Sequence, residues 1–425
     1  MKVLEEIYQY YSQKYIISTD SRKIVQGCVF VALKGEHFDG NDFAYQVAED
    51  NIAACVIADR KDLPTHERLF IVEDSLTTLQ ELAKLHREKC NIPIIGITGT
   101  NGKTTTKELI ATVLSKKYNI IYTQGNFNNH LGVPLSLLQI KPETEMAVIE
   151  MGANHPKEIE FLCSIAKPNY GIITNIGKAH IEGFGNFQGV INTKKELYDY
   201  IKDNDGIIFL NNDNSILNEI SSNIKKITYG KNDKADHHAL ISSSNPYLSI
   251  NWNNETVNTN LVGDYNFENV LAAITTGCYF NVEKEQIVEA LENYSPTNNR
   301  SQFIKTQKNE LVMDAYNANP SSMSHSIKNF RNISDENHLL ILGDMKELGN
   351  ESHDEHQKIL NIIEELNFCN VILVGSEFNK INTKYLSFIN ADELINHITK
   401  NEISGMKILI KGSHSIHLEK IVNYL

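Results

Sequence analysis

Positive charge is in short supply in this sequence. Lys and Arg number 40 against 53 Asp and Glu, a formal net charge of −13. That excludes broad binding to nucleic acid or to an anionic membrane, both of which rely on a basic surface. An anionic ligand must then be held by a few local donors. Long apolar runs are missing too: no stretch approaches the roughly 18 uninterrupted apolar residues of a membrane-spanning helix. The amino terminus, "MKVLEEIYQYYSQKY", carries acids and tyrosines where a secretory signal has a basic start and an apolar block, so a cytoplasmic location without membrane insertion is expected. The six cysteines show no CxxC or other metal-ligand spacing and are expected to be reduced residues of the core. No internal repeat and no long low-complexity tract is present.

What is there is an ordinary globular composition, 41% hydrophobic and 22% charged over 425 residues. With domains of about 100 to 200 residues, three is the central expectation. Residues 1–90 alternate short helices and strands ("VFVA", "AACVIA", "RLFIV"), ending in an amphipathic helix from Ser75 to Lys89. Residues 91–296 start at the break "CNIPIIG" and repeat strand, loop and helix through "IIGIT", "NIIYT", "MAVIE" and "YGIIT", the pattern of a mostly parallel sheet covered on both faces. The Asn- and Ser-rich stretch 231–260, with "YLSINW", predicts an antiparallel excursion within this domain. Residues 297–425 carry "LVMDAYN", "HLLILGD", "NVILVGS" and "KILIKGS", each followed by a helical stretch, and predict a second, Rossmann-like doubly wound unit. The fold class is thus α/β, in three domains.

The segment "IIGITGTNGKTTTKELI" (94–110) runs an apolar strand into glycines, then Lys103, Thr104 and a helical pattern. This order aims backbone N–H groups and a helix amino terminus at phosphate oxygens. Lys103 would contact the β- and γ-phosphates, and the Thr104 hydroxyl would help hold Mg2+. Only two residues separate Gly99 from Gly102, against four in the usual phosphate loop, and a glycine turn with a solvated lysine is the alternative.

Ligands of open α/β sheets sit beyond the carboxyl ends of the strands. Glu150 ends "MAVIE" and His180 follows "YGIITNIGKAH", so both should reach that edge. A carboxylate suits Mg2+, and imidazole suits it less. In "VINTKKELYDYI", Lys194 interrupts the stripe formed by Val190, Leu197 and Ile201. An inward lysine is poorly solvated and leaves a neutral amine that can take up carbon dioxide as a carbamate. Alternatively, its stem lies along the core and the ammonium snorkels outward.

Together, "GITGTNGKTTTKE", "GNFNNHLGVPLSLL", "VIEMGANHPKEIE", "TNIGKAHIEGFGN", "NTKKEL", "NNDN" and "DAYNANPSSM" resemble, in order, the motifs of the Mur ligases of peptidoglycan synthesis. The short phosphate loop is a form that this family shares with folylpolyglutamate synthetases. "DAYNANPSSM" and "LGDMKELG" are most similar to the branch that adds D-alanyl-D-alanine to UDP-N-acetylmuramoyl-tripeptide. The resemblance implies ATP and Mg2+ as cofactors and an acyl-phosphate intermediate. It implies a nucleotide site formed by Gly99, Thr100, Asn101, Gly102, Lys103, Thr104, Thr105, Asn266, Asn269, Arg300, Asp314 and Asn317. Lys103, Glu150, His180 and Lys194 become the catalytic set, with Thr104, Glu150, His180 and a carbamylated Lys194 around the metal. The resemblance also makes the first domain a UDP-sugar-binding unit with Asp20, Ser21 and Arg22 at its heart, and places Asn126, Asn128 and Asn129 on a loop facing the substrate. A monomer is expected. Two positions depart from the pattern: Tyr265 stands where many relatives have histidine, and His414 where many have arginine. A ligase adding the third amino acid, a folate-glutamate ligase and a non-catalytic nucleotide switch are the competing readings. The UDP-type segment disfavours the folate enzyme, "NANP" the third-residue ligase, and the joint presence of Glu150, His180 and Lys194 the switch.

Overall fold

The computed structural model describes residues 2–178, 181–297, 299–333 and 337–425, and their strands form four sheets. In the first, Ile17–Ser18, Val29–Val31, Cys55–Ala58 and Leu69–Ile71 lie side by side in chain order, all parallel. Because side chains alternate across a strand, Val29, Val31, Cys55 and Ile57 meet Leu79 and Leu82 of the helix Ser75–Lys89. Phe30, Val56 and Ala58 meet Ala44 and Val47 of the helix Asn41–Glu49 on the other face. A strand buried on both sides reads as a continuous apolar run, which explains "VFV" and "CVIA". The first of these cores continues into the middle of the chain, where it takes in Ile94, Ala147 and Ile149.

The central sheet has seven parallel strands, with Ile94–Thr98 between Met146–Glu150 and Tyr170–Ile173. From Ile94–Thr98 the chain passes to the edge strand Ile120–Tyr122, returns through Met146–Glu150, and then crosses to build the other half of the sheet. The strand order therefore reverses at Ile94–Thr98, and a crevice opens at its carboxyl end. Ile95 and Ile97 pack under the helices Lys103–Leu114 and Phe267–Tyr279. On the opposite face, an added Cβ at Gly96 would lie 3.3 Å from Leu197 of the helix Phe187–Asp203, so the missing side chain lets that helix approach closely.

The expected antiparallel excursion is present as Leu240–Ser243, Tyr247–Trp252 and Glu255–Val262, with Leu248, Ile250 and Trp252 turned into the central core. The last sheet has six strands. Gln302–Lys305 runs antiparallel to Glu310–Asp314, followed by Lys407–Lys411, His338–Gly343, Val371–Val374 and Leu386–Phe388, all parallel. No described helix is long and apolar enough to cross a membrane. The six cysteines are free; Cys28, Cys55 and Cys163 are buried as expected, whereas Cys369 is exposed.

Candidate functional site

At the reversal point, Gly99 and Gly102 adopt φ of +144° and +79°, a region that side chains disfavour. Space forbids a side chain as well: a Cβ on Gly99 would lie 2.0 Å from Thr174 Oγ1, and one on Gly102 would lie 2.6 Å from Asn269 Oδ1. The loop is braced from the end of the neighbouring strand. Asn175 accepts from the Asn101 N–H and donates to its carbonyl at 3.0 and 3.1 Å, and Thr174 Oγ1 donates to the same carbonyl at 2.6 Å. The helix Lys103–Leu114 then begins with its N–H groups facing the crevice. Lys103 is not a solvated lysine. Its Nζ donates to the Gly99 and Thr100 carbonyls at 2.8 and 3.0 Å, and burial pushes its pKa down, with Glu150 opposing and Arg300 adding to the shift.

The crevice widens into a cleft of about 1040 Å³ that Thr104, Thr105, Glu150 and Lys194 also line. Glu150 is buried at its strand end. Asn128 Nδ2 donates to its Oε1 at 2.8 Å, while Oε2 has no hydrogen-bond partner among the described residues. The side chain nearest to Oε2 in charge is one that motif reading passed over, Lys107, whose Nζ lies 3.9 Å away. Lys107 is fully buried four residues after Lys103 on the same helix. The test that singled out Lys194, a lysine within an apolar helical stripe, would have found it, because Ile110 and Ala111 lie at i+3 and i+4. Lys194 itself is buried, its Nζ 5.6 Å from the centroid of the Phe184 ring. Burial, reinforced by the charge of Lys103, pushes its pKa down to about 7. The snorkelling alternative is thereby excluded. His180 lies outside the described residues.

The last domain closes the far wall. Arg300 stacks on Tyr316 at 3.9 Å from the ring centroid, and its Nε has no partner among the described residues. Asp314 accepts from Lys411 Nζ at 2.6 Å and from Ser326 Oγ at 2.9 Å. Lys411 is another buried cation that the sequence analysis missed; it ends an apolar strand run, as Glu150 does. Asn317 lines the cleft and uses its Oδ1 to accept from the Ala318 N–H. Asn266 and Asn269 also line it, and are tied to one another at 2.9 Å and on to Thr106 at 3.0 Å. Asn319 bridges the two walls, its Nδ2 donating to Asn101 Oδ1 at 2.8 Å. Asn126, Asn128 and Asn129 sit on the rim, where Asn129 Oδ1 also accepts from the N–H groups of Leu131 and Gly132 at the start of a short helix.

Family models cover most of this chain: "Mur ligase family, catalytic domain" matches residues 14–87, "Mur ligase middle domain" 97–277, and "Mur ligase, glutamate ligase domain" 299–414. The UDP-N-acetylmuramoyl-tripeptide–D-alanyl-D-alanine ligase of Bacillus subtilis (strain 168) is 33% identical over 427 aligned positions, spanning 96% of this chain and 92% of the relative. The chain belongs to the Mur ligase family. Its three-domain architecture is that of solved family members. MurF from Acinetobacter baumannii superimposes with a TM-score of 0.85 at 30% identity, covering 98% of this chain and 97% of that one. MurF from Thermotoga maritima, solved in complex with ADP, gives 0.83 at 26%, covering 96% of each.

In this Mur ligase, the candidates of the first domain stand apart from the cleft, since none of Asp20, Ser21 and Arg22 lines it. Asp20 caps the short helix Ser21–Lys23 and accepts from the exposed Arg22 guanidinium at 2.9 and 3.0 Å, which holds its carboxyl at about 2. The two departures from the family pattern also find their settings. The Tyr265 hydroxyl meets Ser301 Oγ at 2.8 Å on the cleft wall, and burial raises its pKa far above that of an ordinary tyrosine. His414 is exposed, 5.7 Å from the Tyr316 ring that carries Arg300.

Proposed function

We propose that the chain is an ATP-dependent ligase that joins D-alanyl-D-alanine to UDP-N-acetylmuramoyl-tripeptide, giving the pentapeptide precursor, ADP and phosphate. The observation that carries this reading is a single cleft that gathers a phosphate loop, a buried carboxylate with one oxygen left open, and a buried lysine with a lowered pKa. The likeness to ligases of that name over nearly the whole chain supports it.

A carboxylate is a poor electrophile, and its oxygen a very poor leaving group. In the proposed reaction the tripeptide carboxylate attacks the γ-phosphorus of ATP, the bond to the bridging oxygen breaks, and ADP departs from an acyl phosphate. The dipeptide amine then attacks the acyl carbon, loses a proton and expels phosphate. Lys103 and the loop N–H groups are assigned to the charge that develops on the transferred phosphoryl group. Asn266, Asn269, Arg300, Asp314 and Asn317 are assigned to the nucleotide. Asn126, Asn128 and Asn129 are assigned to the acceptor side, and Asp20, Ser21 and Arg22 to the UDP end. Residues 1–90, 91–296 and 297–425 are taken as the UDP-binding, ATP-binding and Rossmann-like domains of a cytoplasmic monomer.

Mg2+ fits this donor set. It commonly takes one or two protein carboxylates and fills the remaining positions with water and phosphate oxygens. Glu150 Oε2 is open, and Thr104 is the second residue of the helix that follows the phosphate loop. Among the described residues, no three His, Cys, Asp or Glu side chains converge as a cage. The Lys194 amine, neutral in part near pH 7, is assigned carbamylation, which would turn a buried cation into an anionic oxygen ligand in the cleft that Glu150 also lines, and His180 is assigned to the same ion. When bound, the ion neutralises phosphate charge. An ADP-release assay over a matrix of UDP-muramoyl peptides and amines tests the whole reading: release is expected only with the tripeptide and D-alanyl-D-alanine together, and release with either alone, or with glutamate, overturns it.

A further inference from the structure

Lys107 has no part in the reaction as assigned above, yet it is a fully buried lysine beside the cleft carboxylate, where burial lowers its pKa and the charges of Glu150 and Glu108 oppose that shift. Its Nζ has no hydrogen-bond partner among the described residues. It lies 3.9 Å from Glu150 Oε2, 3.7 Å from Glu108 Oε1 and 5.7 Å from the centroid of the Tyr122 ring. Burying a charge is costly unless it is paired, so this placement requires an electrostatic account.

The distances supply one. A charge-assisted N–H···O bond closes at about 2.7–2.9 Å. At 3.9 Å the ammonium attracts the carboxylate but leaves the lone pairs of Oε2 unoccupied. The other oxygen, Oε1, is fixed by Asn128 at 2.8 Å. One carboxylate oxygen is therefore held by a hydrogen bond, and the other is pulled by charge alone and stays open. Any cation accepted by Oε2 would also face the like charge of Lys107. Glu108 shares that charge; its own Oε2 accepts from the Tyr294 hydroxyl at 2.6 Å, which keeps the carboxylate in place.

We infer that Lys107 acts on the Glu150 carboxylate, which Asn128 holds in place, through charge alone, and that this charge sets how loosely a divalent cation is held there. The inference rests on the proposed nucleotide-and-metal reading of the cleft. Loose holding suits a site that must release its cation with ADP at each turnover.

The test uses the full chain with ADP, titrated with Mn2+ and followed by the electron paramagnetic resonance of the free ion, with no turnover involved. Removing the like charge in Lys107→Met is expected to tighten Mn2+ binding about fivefold, whereas Lys107→Arg stays close to the parent. Glu108→Gln keeps an acceptor for Tyr294, frees the Lys107 charge to act on Glu150 alone, and is expected to weaken binding about two- to threefold. A structural lysine would give the opposite sign in Lys107→Met, because a disturbed Glu150 holds metal less well. Unchanged or weaker binding in Lys107→Met overturns the inference. If that variant does not fold, unchanged binding in Glu108→Gln does so. Failure of the parent protein to bind Mn2+ with ADP would overturn both the inference and the reading of the cleft, whereas parent binding with unaltered variants overturns the inference alone.

Discussion

Lys194 sets its proposed role against the stability of the fold. Its pKa in the folded chain is about 7 against an ordinary 10.5, so between those values the unfolded chain binds more protons than the folded one. Stability from this group therefore rises as pH climbs through that window, and its full penalty is present below about pH 7. In carbonate-free buffer without nucleotide, Lys194→Met is expected to be more stable than the parent by roughly 1–3 kcal/mol near pH 7 and to lose that advantage toward pH 10.5. Urea melts across that range check it; a variant less stable at pH 7, or an advantage independent of pH, would refute the account. The same variant is expected to have no ligase activity. Lys194 interrupts an apolar stripe, a pattern that by itself favours a snorkelling stem until the family resemblance reverses that reading, and Glu150 ends an apolar run at the sheet edge where ligands gather. Lys107 and Lys411 obey the same two rules, but within "GITGTNGKTTTKE" and "KILIKGS" no expected role points to either. The Asn128–Glu150 bond was not legible at all, because it joins a loop residue to the end of a strand 22 residues on, an approach that only the folded sheet determines.

Among the elements, the helix Ser75–Lys89 joins the first and central domains. Asp74 caps it, accepting from the Thr77 N–H at 2.6 Å. At its other end, buried Arg87 donates to the carbonyls of Ala166, Cys90 and Lys167 and to Asn169 Oδ1 at 2.6–3.1 Å. Replacing it removes a charged donor and strands several buried carbonyls. Arg87→Ala is expected to destabilise the chain by about 2–4 kcal/mol in urea titration while leaving ATP affinity in the surviving folded fraction near normal. A loss below about 0.5 kcal/mol would show that water replaces the guanidinium at no cost. Strands of this kind were easy to place from sequence, since burial on both faces writes them as unbroken apolar runs between polar turns. The two-residue strand Ile17–Ser18 and the 3-10 turns of the carboxyl terminus, His414–Ile416 and Leu418–Tyr424, were not, because segments so short or so tightly wound carry neither period.

Across the whole molecule, the two ends of the chain are attached differently. The first domain shares a continuous apolar core with the central one. The last meets the loop side of the cleft through polar groups, with Asn319 on Asn101 at 2.8 Å, Lys178 near Glu355 at 3.8 Å, and Ser321 against the bare Cα of Gly177, while Val262 and Tyr247 of the antiparallel excursion pack into its own apolar core. Nucleotide-linked motion is thus expected in residues after 297, with the first two domains moving as one body. Asn319→Asp isolates the bridge. It keeps an oxygen for the Ser322 N–H, an acceptor that starts the helix Pro320–Ile333, and removes the donor to Asn101. The variant is expected to melt within about 1 kcal/mol of the parent, to raise the KM for ATP about tenfold, and to contract less in X-ray scattering when an ATP analogue and UDP substrate are added. Equal contraction with an unchanged KM would remove Asn319 from the coupling.

Asn101 is flanked by two kinds of neighbour: Asn175 and Thr174 grip its backbone, and Asn319 grips its side chain. A single residue is thus the keystone between a fixed arch and a swinging door. Whatever settles onto the loop and shifts that keystone is felt at once by the door, so the empty and loaded enzyme should differ in how readily its halves part, even before any bond has been made.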